Sequence, residues 1–134
     1  MSGQKKHARE PHKIVTLIGS TRKKWQQRYV EVNRELTLNG FVVISVAIFR
    51  HHVSNIEDFR DILESVHYQK IRLADIVVLI HKDAIGLHTK IEMDYCKEIG
   101  KPLVTYDFIS QAISDIRNNL GDYEATKWKE TVAE

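Results

Sequence analysis

Four short apolar runs, at residues 14–18, 41–48, 76–80 and 103–106, set the rhythm of this chain. Each is rich in β-branched side chains and nearly continuous, the pattern of a strand covered on both faces. Between the first two runs, Trp25, Tyr29, Val32, Leu36 and Leu38 recur at helical spacing and stop at Asn39-Gly40, which predicts an amphipathic helix over 23–39. Between the second and third, Ile56, Phe59, Ile62, Leu63, Val66 and Ile71 repeat the period behind two candidate caps, Ser54 and Asn55. A third helix is expected over 89–99, stopped by Gly100-Lys101-Pro102, and a fourth over 108–120 before Gly121.

Strand and helix therefore alternate four times. The pattern predicts a single-domain α/β fold, a flavodoxin/Rossmann-like parallel sheet of four to five strands with helices on both faces and right-handed crossovers. With the strand order 2-1-3-4, the chain reverses between the first and third strands, and ligands of such sheets bind beyond the strand carboxyl ends at that switch point. The loop after the first strand and the loop after the third would meet there.

Composition narrows the picture. The 134 residues, 43% of them hydrophobic, suffice for one core. Residues 1–12 read as a flexible polar arm, 13–120 as the domain, and 121–134 as a tail that is helical or forms an interface. Twenty basic and eighteen acidic side chains leave a net charge of +2, part of it in the arm as Lys5, Lys6 and Arg9, so no nucleic-acid polymer is expected as partner. The lone Cys96 forms no intramolecular disulfide and suits a reducing cytoplasm. No run approaches the ~20 apolar residues that span a bilayer, so no membrane partner is expected either.

Chemistry-bearing residues cluster at the two strand-to-helix junctions. Gly19-Ser20-Thr21-Arg22 combines a turn-forming glycine, two hydroxyls, backbone amides and a guanidinium, which together suit a phosphate or ribose; the competing use is helix capping by Ser20 or Thr21. Thr89-Lys90-Ile91-Glu92 matches a capping box, while the functional use of Glu92 is as a carboxylate aimed into a sugar-sized pocket, where it can attack an anomeric carbon. The two uses compete for the same oxygens. Gly86 would let the preceding loop approach a ligand closely. Asp75 stands at the amino end of its strand, the wrong end for catalysis, and reads as structural. His67 and Lys70 share a helix face. His51, His52, His81 and His88 belong to seven histidines that form no compact metal motif, so neither metal nor other cofactor is expected. Trp25, Tyr29 and Trp128 read as core or interface anchors.

Taken in order, Gly19-Ser20-Thr21-Arg22, Gly40-Phe41-Val42-Val43, His67-x-x-Lys70-Ile71-x-x-Ala74-Asp75, Gly86-x-x-Thr89-x-x-Glu92 and Gly100-Lys101-Pro102 give a pattern that resembles the nucleoside 2-deoxyribosyltransferase-like superfamily. Its short bacterial and phage members, and the related deoxynucleoside 5′-monophosphate N-glycosidases, are the nearest in kind. The resemblance covers most of residues 13–106. It implies cleavage or exchange of the N-glycosidic bond of a 2′-deoxynucleoside or nucleoside 5′-monophosphate, with Glu92 as nucleophile. It further implies that Gly19, Ser20, Thr21, Arg22, Gly86 and Thr89 bind substrate, and that the chain forms a homodimer or higher homo-oligomer. Where the family carries an aspartate on the helix before the third strand, this chain has His67. A histidine can donate a proton to the leaving base near neutral pH, which makes His67 a second catalytic candidate. His81, Lys82 and Asp83 also depart from the family's loop. The alternative to an enzyme is a noncatalytic nucleotide sensor of the same fold; a scaffold that merely inherited the fold is the third reading.

Overall fold

The computed structural model describes residues 12–46, 53–107 and 109–121. The arm, the tail beyond residue 121, His51, His52 and Trp128 lie outside them, as does the end of the second apolar run. Within them run β1 (Ile14–Ile18), α1 (Lys23–Leu38), β2 (Val42–Ile44), a 3-10 turn (Ile56–Phe59), α2 (Arg60–Leu73), β3 (Ile76–Leu79), α3 (Leu87–Ile99), β4 (Leu103–Thr105) and α4 (Ile109–Gly121). All strands are parallel, in the order β2-β1-β3-β4. The α/β class and the parallel sheet are as the apolar pattern predicts, and the observed order is the 2-1-3-4 arrangement that sets the loops after the first and third strands side by side.

The sheet is covered on both faces because successive side chains of a strand point to opposite sides. Val15 and Leu17 of β1 and Ile76 and Val78 of β3 pack with Tyr29, Val32 and Leu36 of α1 and with Ala112, Ile113 and Ile116 of α4. On the other face Ile18, Val77 and Leu79 pack with Ile71 of α2 and Cys96 of α3. Thr16 points the same way as Ile18, is fully buried, and satisfies its hydroxyl by donating to the Lys70 carbonyl at 2.7 Å. No helix among the described residues is long and apolar enough to cross a membrane.

Several boundaries differ from expectation for local reasons. Leu38 is 77% exposed and takes no part in the core stripe of α1. Ser54 and Asn55 do not cap an α-helix: Asn55 precedes the 3-10 turn without a side-chain cap bond, and α2 starts only at Arg60. Helix α3 begins at Leu87, two residues early, with Gly86 as its N-cap. Its other end behaves as expected: Gly100 adopts φ +70°, and the Lys101 amide donates to the Cys96 carbonyl at 2.7 Å. Asp75 is structural as read, accepting the Ile14 amide at 2.7 Å across the amino edge of the sheet.

Candidate functional site

Beyond the carboxyl end of β1, between α2 and α3, lies a cavity of about 310 Å³. The doubly wound topology creates it: the chain leaves β1 toward one edge of the sheet and enters β3 toward the other, so their following loops separate. The floor and walls include Gly19, Ser20, Thr21, Arg22, His67, Gly86, Thr89 and Glu92. All eight residues singled out in the sequence thus face one space. Lys70, Leu63 and Val66 of α2 also line it.

Glu92 is not a capping residue. Because α3 starts at Leu87, Thr89 falls in the third helical position instead of the cap, Gly86 takes the cap, and no side-chain cap bond forms. Thr89 is instead 2% exposed against the cavity wall. Released from the helix end, Glu92 sits one turn in. Its Oε2 lies directly against Nε2 of His67, with the two side chains 12% and 16% exposed. Oε2 is buried and receives no well-formed hydrogen bond among the described residues, so the imidazole is its close polar neighbour. A carboxylate so placed keeps lone pairs for chemistry that a cap would have consumed.

The first loop is built differently from a simple anion nest. Gly19 has φ +145°, and a Cβ there would come within 2.8 Å of the Ile80 side chain, so only glycine fits. The Ser20 amide donates to the Ala84 carbonyl at 2.8 Å, and the Arg22 amide donates to the Ser20 hydroxyl oxygen at 3.3 Å. These two amides are therefore committed within the fold. Neither Ser20 nor Thr21 is the N-cap of α1, which is Arg22, without a side-chain cap bond. Ser20, Thr21 and the exposed Arg22 line the cavity from this loop.

No protein-family model matches the chain, and no curated protein matches it. Among solved structures the chain is similar to the CMP N-glycosidase BcmB of Clostridium botulinum, with 19% sequence identity and a TM-score of 0.49, over 69% of this chain and 70% of that one.

Around the cavity, burial shifts several groups. It pushes the Cys96 thiol up to about 12, with the Glu92 charge adding to the effect, and raises the Tyr29 phenol in the same order of causes. Burial lowers the Lys70 ammonium, whose Nζ donates to the Ser45 carbonyl at 3.0 Å. Arg28 drew no attention in the sequence because it interrupts an amphipathic helix as any solvated residue would. Its Nε in fact donates to the Ile80 carbonyl at 2.7 Å and its Nη2 donates to the Tyr106 carbonyl, which ties α1 to the carboxyl ends of β3 and β4. His81 lies outside the cavity lining, tilted against Trp25 with ring centroids 5.0 Å apart.

Proposed function

We propose that the cavity binds a 2′-deoxynucleoside or nucleoside 5′-monophosphate and that Glu92 cleaves its N-glycosidic bond as nucleophile. The observation that carries this reading is the Glu92 carboxylate, its Oε2 buried, unused as a cap and paired with His67 in the lining of the switch-point cavity. Its family context is the sequence resemblance to the nucleoside 2-deoxyribosyltransferase-like superfamily. A Glu92 oxygen bonds to C1′ as the C1′–N bond breaks, and the electron pair leaves with the base nitrogen, which takes a proton from the His67 imidazolium. Water then attacks C1′, neutral His67 accepts its proton, and the carboxylate is regenerated; in transfer, a second base takes the place of water.

Two consequences follow from the direct pair. Glu92 and His67 must part far enough for the sugar to reach the carboxylate, and His67 then stands beside the leaving base. Ser20, Thr21 and Arg22 hold the sugar or its 5′-phosphate, while Gly86, where an added Cβ would meet nothing within 4 Å, leaves room beside Thr89. Exposed apolar side chains at the rim, Val66, Leu87 and Ile91, suit contact with a second copy of the chain, in keeping with a homo-oligomer.

Incubation with a panel of nucleosides, deoxynucleosides and their 5′-monophosphates, following free base by chromatography, tests the reading. Base release from at least one member, lost in Glu92→Ala, is expected. Saturable binding without base release would instead mark the site as a nucleotide sensor.

A further inference from the structure

We propose that Tyr29 is a positioning residue of this site: its phenol holds the Gly19 carbonyl, which keeps the 20–22 turn against the cavity that Glu92 also lines. The proposal rests on reading the cavity as a nucleotide site. Tyr29 is 1% exposed in the cluster between the sheet and α1, and it carries a hydroxyl into that apolar space. The hydroxyl donates to the Gly19 carbonyl at 2.6 Å. Gly19 is crowded where a side chain would stand: an added Cβ would lie 2.8 Å from Ile80, 3.2 Å from the Tyr29 hydroxyl and 3.4 Å from the Ala84 carbonyl. The other end of the same peptide is tied as well, the Ser20 amide donating to the Ala84 carbonyl at 2.8 Å, and the Ala84 amide in turn donates to the His81 carbonyl at 3.0 Å. Tyr29 is thus the side chain from α1 that completes a junction between the two loops after β1 and β3.

Packing alone does not ask for the oxygen. A phenylalanine would fill the same space, but it would leave the Gly19 carbonyl without its buried donor, and a peptide in that state reorients toward another partner. Burial, and then the Glu92 charge, raise the phenol's pKa, so the donor proton persists through neutral and mildly alkaline pH.

The test compares wild type with Tyr29→Phe, using the four common 2′-deoxynucleoside 5′-monophosphates as probes and amide hydrogen exchange at Ser20 as a second readout. Expected are a roughly tenfold rise in KM with kcat changed less than about twofold, and exchange at Ser20 accelerated about tenfold. Unchanged KM together with unchanged Ser20 exchange would overturn the proposal. So would a fall in kcat at constant KM, because it would place the hydroxyl at the reacting centre. If wild type cleaves none of the probes, the proposed function fails by itself, and Ser20 exchange decides the role of Tyr29: faster exchange supports it and unchanged exchange overturns it. Should Tyr29→Phe fail to fold, 3-fluorotyrosine placed at position 29, which retains the donor, is expected to keep Ser20 exchange within twofold of wild type, and a tenfold acceleration would refute the assignment.

Discussion

Glycine is required at residue 19 and merely convenient at residue 86, although both stand at strand-to-helix junctions. Gly19 needs both its positive φ and its missing side chain, since a Cβ would press on the Ile80 side chain at 2.8 Å. Gly86 has φ −104°, which any residue adopts, and open space where a Cβ would stand. Gly19→Ala is therefore expected to destabilise the fold by about 2–4 kcal/mol, the combined cost of backbone strain and overpacking. Gly86→Ala keeps an allowed backbone but gives up a favoured N-cap residue of α3, and is expected to cost only about 0.5–1 kcal/mol. Urea unfolding of the two variants distinguishes them, and equal losses would contradict the local geometry. At Glu92 the decision also turned on position by a few residues. A carboxylate three residues after a threonine reads as a capping box, and only the early start of α3 at Leu87 moves Thr89 out of the cap and frees Glu92.

At the scale of elements, Asp75 shows how a charged residue beside a buried strand can serve the sheet alone. Its carboxylate accepts the Ile14 amide at 2.7 Å while its own amide donates to the Ile14 carbonyl at 2.8 Å, which closes the amino edge between β1 and β3. Asp75→Ala is expected to lower stability by about 1–3 kcal/mol, because a partly buried amide loses a charged acceptor. The rate of base release per folded molecule should not change; a selective loss of activity would place Asp75 in the site after all. The helices and strands were legible because their apolar residues repeat at 3.6 or run unbroken, and those patterns survive in Tyr29, Val32 and Leu36 and in Ile76, Val77, Val78 and Leu79. Helix starts were less so. Leu87 is 74% exposed and adds nothing to a core stripe, so the first turn of α3 carries no periodic mark. Arg28 and Lys70 were opaque for a related reason: their partners are backbone carbonyls distant in sequence, and a carbonyl leaves no trace in residue identity.

For the whole molecule, the parallel sheet with helices on both faces encloses groups that keep their protons to higher pH than they would in the unfolded chain. Burial raises Cys96 from 9.0 to about 12 and, with the Glu35 charge adding, Tyr106 from 10.0 to about 12; Tyr29 shifts the same way. The unfolded chain gives up these protons first, so above pH 9 the folded state binds more of them and stability falls with rising pH. Thermal unfolding should be independent of these groups below pH 9 and should shift to lower temperature progressively between pH 9 and 12. A melting temperature flat across that interval would show that the thiol and phenols are not held in the interior as described. The same architecture opens where the loops after β1 and β3 part and Glu92 meets His67. Intact-protein and peptide mass spectrometry of a reaction quenched during turnover tests the central claim most directly. The account predicts a glycosyl ester on the peptide containing Glu92, absent in Glu92→Gln, whose base release is also lost. Base release with no adduct, retained in Glu92→Gln, would contradict it.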